Sequence, residues 1–331
     1  MKLRKRRTFL ALLWVGLVLI GGLSLTTSSG SPLPPRWQNP PPSPDVLPPA
    51  DQPGRDFWIF WQTGRAENPY SVAGANYPPP MMIIQRPIGL LPGSVAFIVW
   101  TLFNLILLVA MFKRKALLYI FFMPTMFDIV PGQNDLLFLW FSTFLKKQDW
   151  KAILAGVLIT LKPQMALLLL PWHLLRWEWK TRFAWAAGVV GLWGYYFLVR
   201  PEWYFQWVGV AQSWVNKENS ATPSLFSLVP FWLAVVLALG IFLFAWFRLD
   251  EKTNLAAAVF AMPYGKTYDQ ILLLRSDSLV WWMIPLSWAG LFISLRLNHP
   301  WPQAVVTGII FAVALWRYYQ KEGRMIRKGV E

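Results

Sequence analysis

From Leu90 to Tyr318 the chain is a succession of uncharged apolar runs, separated by short basic clusters or by turns bearing Pro, Gly and Asn. A soluble core cannot hide that many apolar faces behind so little polar surface. Of 331 residues, 56% are hydrophobic and 14% charged, the balance of a chain whose outer surface meets lipid. The expected fold is an all-α polytopic membrane protein, a single membrane domain over 1–331 with about 10–12 transmembrane helices.

A basic cap, Met1 to Arg7, precedes a first span at 8–27, long enough to cross a bilayer. A cleaved signal peptide fits less well, because the apolar part is long and no A-x-A-like site follows. Residues 28–87 change to Pro, Gly, Ser and Asn. Their first half reads as an extended linker. The second half carries aromatics on both faces of Asp56-Phe57-Trp58-Ile59-Phe60-Trp61, then turn chemistry at Asn68-Pro69-Tyr70 and Tyr77-Pro78-Pro79-Pro80. It is expected to be an interfacial helix and a structured first extracytoplasmic loop.

The remaining spans are expected within 88–319, including runs Leu90 to Phe112, Ala116 to Val130, Leu136 to Leu145, Leu225 to Phe247 and Ile271 to Leu274 extending towards Leu295. Several are shorter than a bilayer requires. Broken helices are tolerated where protein covers the backbone or a wet cavity receives it, which marks Pro131 to Asp135, Lys162-Pro163-Gln164 and Pro263 to Lys266 as cavity-facing breaks. A basic tail, 320–331, ends the chain.

The net charge of +15 does not point to nucleic acid, because the bases sit in short clusters between apolar runs. They read as topology signals. With the clusters at Lys2 to Arg7, Lys113 to Lys115, Lys146 to Lys151, Arg176 to Arg182, Arg248 to Lys252 and Arg317 to Lys328 cytoplasmic, about two thirds of the Lys and Arg lie inside. Both termini are then cytoplasmic, and the Asp56 loop, the Gln133 turn, the Lys162-Pro163 turn, the loop from Arg200 to Ser224 and the turn from Tyr264 to Asp269 share the outer face.

Candidate chemistry gathers at those outer segments. Asp56 is a general base, an acid that binds a divalent ion, or the N-cap of the aromatic segment it precedes. Asp128 and Asp135 flank Pro131-Gly132-Gln133-Asn134 at an apolar helix end; Asp135 is a functional candidate or the cap of a helix starting at Leu136. Lys162 offers a point charge suited to phosphate, or it snorkels to the interface. Tyr268-Asp269 can bind a substrate hydroxyl or pair with Lys266. Asp250 and Glu251 read as solvated partners of cytoplasmic bases, and His173 as a packed interfacial imidazole. The chain has no Cys and two isolated His, so thiolate and zinc sites are excluded and no cofactor is expected. Nucleotide-phosphate loops, dinucleotide fingerprints and nucleophile elbows are missing too.

The order of features resembles glycosyltransferase family 87, the DUF2029-type members of the GT-C superfamily: Asp56-Phe57, Asn68-Pro69-Tyr70, Tyr77-Pro78-Pro79, Gly132-Gln133-Asn134, Ala155-Gly156 leading to Lys162-Pro163, and Pro263-Tyr264 with Tyr268-Asp269. The resemblance implies a GT-C-like bundle and a hexosyl- or mannosyltransferase-like enzyme of the cell membrane. It would move a sugar from a polyprenyl-phosphate donor to a glycan or glycolipid acceptor on the extracytoplasmic face. By the same resemblance Asp56 would be the catalytic acid residue of the first outer loop, deprotonating the acceptor hydroxyl. Lys162, Lys266 or Arg55 would stabilise the leaving phosphate, Gln133, Asn134 and Asp269 would contact sugar or acceptor, and no metal would be needed. Two other classes remain open: a transporter or flippase of lipid-linked saccharides, which the want of an internal repeat disfavours, and a non-catalytic membrane scaffold.

Overall fold

A computed structural model describes residues 54–218, 222–263, 266–276 and 279–328. The first span at 8–27, the linker up to residue 53 and Tyr264-Gly265 lie outside the described residues. Among the described residues there is no strand. Fourteen α-helices follow in chain order: α1 Arg55–Arg65, α2 Met82–Gly89, α3 Gly93–Phe112, α4 Ala116–Tyr119, α5 Met123–Ile129, α6 Asp135–Ser142, α7 Trp150–Ile159, α8 Pro163–Leu174, α9 Trp179–Val199, α10 Pro201–Glu218, α11 Phe231–Arg248, α12 Glu251–Ala261, α13 Met283–Leu297 and α14 Trp301–Lys328. A nine-residue 3-10 helix, Thr267–Arg275, lies between α12 and α13.

Two helices show how the chain meets its surroundings. In α3 the buried residues Ala96, Trp100, Asn104, Leu107 and Leu108 recur at helical spacing, whereas Val95, Ile98, Val99, Leu102, Ile106 and Val109 are exposed. In α11 the covered stripe is Ala234, Ala238, Phe242 and Ala245, with Trp232, Leu233, Val236, Leu239 and Leu243 outside. Both helices are long and apolar enough to cross a membrane, yet only 28% and 22% of their most apolar windows is buried. Apolar surface on every side with one covered stripe is the signature of a helix in lipid. The chain is an all-α membrane protein. Small residues on the α11 stripe let α12, with Ala256, Ala257 and Ala258 fully buried, approach closely.

The described residues group into two compact units. The first holds the residues up to Phe103 with Val130–Gly132 and Leu192–Ala211. Its α1 and α2 cross at glycines: a Cβ on Gly64 would run into the Gln85 carbonyl oxygen, and one on Gly89 would lie 2.7 Å from the Gly64 carbonyl carbon. The expected aromatic segment is therefore a helix, but Phe57, Trp58, Ile59, Phe60 and Trp61 are covered by protein instead of lying on an open interface. The second unit holds Asn104–Ile129, Gln133–Gly191 and the described residues from Gln212 onward. At its centre α6 is buried on every side, and so is almost all of α12.

Three expectations about elements are corrected. The run from Ala116 to Val130 is not one helix, because Pro124 cannot donate an amide to a preceding turn and opens a new helix instead. The segment from Arg200 to Ser224 is not simply a loop: Pro201 starts α10, with Glu202 in its first turn. Ile271 to Leu274 does not extend towards Leu295; it belongs to the 3-10 helix, and α13 begins at Met283 after the polar stretch from Ser276.

Candidate active site

Backbone geometry fixes Asp56. Gly54 stands at the capping position of α1 in the left-handed region, φ 76°, where a residue without Cβ is at ease. Its amide donates to Val130 O at 3.0 Å, and the Phe57 amide donates to Pro131 O at 2.9 Å. Gly132, at φ 80°, packs on Phe57 so closely that a Cβ would collide with that side chain, and Trp100 Nε1 donates to Gly132 O at 3.1 Å. Asp56 is thus not the N-cap. It lies inside the first turn, where a carboxylate complements the positive end of the helix dipole. Arg55 opens the same helix, half-buried, and its Nε is buried with no hydrogen-bond partner among the described residues.

In the second unit a lysine sits among carboxylates. Pro163 at the first position of α8 holds Lys162 in an extended conformation, φ −121° and ψ 92°. Its ammonium pairs with Asp135 Oδ1 and lies 3.3 Å from Asp269 Oδ1, and the Tyr268 ring centroid is 5.0 Å away. Lys162 is 1% exposed and both carboxylates 0%, so the snorkelling reading does not hold. Asp135 is likewise not a cap. The cap of α6 is Asp128, whose Oδ1 accepts the Asp135 amide at 2.9 Å and whose Oδ2 accepts the Leu136 amide at 3.3 Å.

Burying charge costs several kcal/mol per ion unless it is paired and hydrogen-bonded, and Asp135 and Asp269 are the partners that Lys162 meets. Asp269 Oδ2 also accepts the Lys266 amide at 2.7 Å, which ties Lys266 to the site through its backbone. Gln133 and Asn134 are buried at the turn into α6; Asn104 Nδ2 donates to Gln133 O at 3.4 Å. Asn134 Oδ1 and Asp135 Oδ2 are buried acceptors with no hydrogen-bond partner among the described residues.

Residues 76–274 match the model of glycosyltransferase family 87, well over half of the chain. The chain belongs to this family. No curated protein matches it, and no solved structure does. Family 87 makes the chain a membrane glycosyltransferase, with a sugar donor and a glycan acceptor as substrates. The matched stretch takes in Asp128, Gln133, Asn134, Asp135, Lys162, Lys266, Tyr268 and Asp269, while Arg55 and Asp56 precede it.

Of the residues singled out in sequence, the second unit brings Asp135, Lys162, Tyr268 and Asp269 together around one ammonium, with Lys266 attached through its backbone. Gln133 and Asn134 adjoin Asp135 in the chain. Asp56 and Arg55 belong to the first unit. A second buried charge cluster escaped the sequence reading. Glu251 is not a solvated charge: it is 4% exposed, with Oε1 2.8 Å from Arg275 Nη2 and 3.4 Å from His173 Nε2, and Oε2 2.6 Å from Lys146 Nζ. His173, at 3% exposure, is inside the protein, not at an interface. The available signal was a carboxylate four residues ahead of an apolar run, which the neighbouring bases made look like ordinary loop charge.

Proposed function

We propose that this family-87 glycosyltransferase moves a sugar, a mannose-like hexose or a pentose, from a polyprenyl-phosphate donor to a lipid-linked or cell-envelope glycan on the extracytoplasmic face. The observation that carries the reading is the buried Lys162 cluster inside the family-87 match, since ionisable groups buried in a membrane protein mark functional sites by default.

In the proposed step Asp56 takes the proton of the acceptor hydroxyl as that oxygen bonds to the anomeric carbon. The bond from that carbon to the phosphate oxygen breaks, its electron pair leaves with the polyprenyl phosphate, and the configuration inverts. Lys162, Lys266 or Arg55 is the cation assigned to the leaving phosphate. Lys162 can serve only if one of its carboxylates yields, and Asp269 at 3.3 Å is the looser of the two. Asn134 Oδ1 and Asp135 Oδ2 are acceptors that sugar hydroxyls can satisfy, with Gln133, Tyr268 and Asp269 as further contacts. About 10–12 spans with both termini in the cytoplasm complete the proposal.

Purified full-length protein in lipid nanodiscs, given radiolabelled polyprenyl-phosphate mannose, glucose or arabinose and a glycolipid acceptor with and without EDTA, tests it. Transfer of one of these sugars is expected. No transfer from any donor, together with movement of a lipid-linked saccharide across vesicles, replaces the transferase reading with a flippase.

A further inference from the structure

Three segments of the second unit run between the same two charge clusters. Helix α6 begins at Asp135, beside Lys162, and ends at Ser142, whose Oγ accepts from Arg275 Nη1. The 3-10 helix has Asp269 near its start, beside Lys162, and Arg275 at its end, on Glu251. Helix α8 follows Lys162 and carries His173, beside Glu251, in its last turn. The lengths agree. Asp135 to Ser142 spans about 10 Å of α-helix and Asp269 to Arg275 about 12 Å of 3-10 helix, so the two run in parallel with a polar rung at each end, Asp135–Lys162–Asp269 at one and Ser142–Arg275–Glu251 at the other.

A 3-10 helix of nine residues is unusually long, and its poorer hydrogen-bond geometry makes it a weak strut. Between the rungs Gln270 Nε2 donates to Pro223 O at 3.2 Å, and Ile271, Leu272, Leu273 and Leu274 are buried apolar side chains that fix no register by themselves. A slip of one residue would shift the 3-10 helix by about 2 Å and turn it by about 120°, taking Asp269 away from Lys162. The Arg275–Glu251 ion pair at the far end resists such a slip, with the Gln270 and Thr267 hydrogen bonds beside it.

We infer that Arg275 and Glu251 are positioning residues of the candidate active site, setting the register of the 3-10 helix and with it the placement of Asp269 and Tyr268 against Lys162. The inference rests on reading the Lys162 cluster as part of the transferase site. Arg275 and Glu251 act on it only through the frame.

Hydrogen exchange followed by mass spectrometry on the full chain in nanodiscs tests the frame without reference to activity. In Arg275→Met, the amides of Asp135, Leu136 and Lys266, all hydrogen-bonded to carboxylates at the opposite end, are expected to exchange about tenfold faster or more, while α13 is unchanged. Arg275→Lys should restore most of the protection. Ser142→Ala, which removes one contact of the far rung, gives a smaller rise at the same amides and carries the test should Arg275→Met not fold. Acceleration confined to residues around 142 and 275 overturns the inference, because a local structural role does no more than that. In sugar transfer, kcat should fall about tenfold in Arg275→Met with donor KM little changed, and recover in Arg275→Lys. A wild-type protein that transfers no sugar sinks the functional reading alone, and the exchange result still decides the frame.

Discussion

The Asp128 carboxylate caps a helix to which it is not adjacent in the chain: it accepts the amides of Asp135 and Leu136, seven and eight residues further along, at 2.9 and 3.3 Å. The turn closes over it, with the Gln133 amide donating to Asp128 O at 2.7 Å. Asp128→Ala leaves two buried amides without acceptors and is expected to lower stability by about 1 to 3 kcal/mol, and Asp128→Asn by roughly half as much. Thermal unfolding in detergent measures both. Equal, small losses in the two variants would show that the cap contributes little.

Lys162 holds two buried carboxylates. Lys162→Met strands them and should cost about 3 to 5 kcal/mol, or abolish folded expression. The double variant Lys162→Met/Asp269→Asn should be more stable than the single one, since one stranded charge is gone. A double variant no better than Lys162→Met would mean that Asp269 is not energetically coupled to the ammonium.

Asp56 lies in the first turn of α1. Replacing it with Asn removes a favourable helix-dipole interaction worth about 0.3 to 1 kcal/mol, so the unfolding midpoint should hardly move. Turnover should fall about a hundredfold or more if the carboxylate takes the acceptor proton. Normal transfer by folded Asp56→Asn removes it from the mechanism.

The crossing of α1 and α2 leaves no room for side chains. Gly64→Ala and Gly89→Ala each drive a methyl into backbone, and a loss of about 1 to 3 kcal/mol or more is expected. Gly191→Ala in α9 is the control: nothing lies within 4 Å of the added Cβ, and alanine's helix preference should stabilise by about 0.5 to 1 kcal/mol. Chemical denaturation of the three variants reads the contrast.

Glu251 lies in the loop-to-helix junction outside the spans. Burial raises its carboxyl, but His173, Arg275 and Lys146 outweigh that and bring it down to about 2. A depressed value means that the ionised form stabilises the fold above the ordinary carboxyl value of 4.5 and that this contribution is lost as pH falls towards 2. The gap in thermal midpoint between wild type and Glu251→Gln should be widest at neutral pH and close across that window. A gap independent of pH would assign the effect to packing.

The fold class was legible because it follows from composition and run length, and Lys162-Pro163 was legible because proline at a helix start restricts both itself and its predecessor. Asp269 and Lys162, 107 positions apart in the sequence, were each picked out as charges at helix breaks. Their pairing was not, since no local pattern encodes which charge a buried lysine meets. The same holds for the cap of α6: propensity nominates the residue next to a helix, and here tertiary closure brings one from the previous helix. Glu251 was misread because a carboxylate among bases looks alike in sequence whether water or protein surrounds it. Arg275 was passed over for the opposite reason, standing at the edge of an apolar stretch with its partner Glu251 24 residues upstream.

Two of the hydrogen bonds that seat α1 join main-chain atoms, Gly54 to Val130 and Phe57 to Pro131. Such bonds are indifferent to the letters written at those positions, so a change of side chain at Val130 leaves the bond from Gly54 in place. Gly132 has no such licence, since any side chain there meets Phe57. Distant relatives of this chain are therefore better sought by an acid followed by an aromatic residue and a glycine some 75 positions later than by the wording of the turn around that glycine.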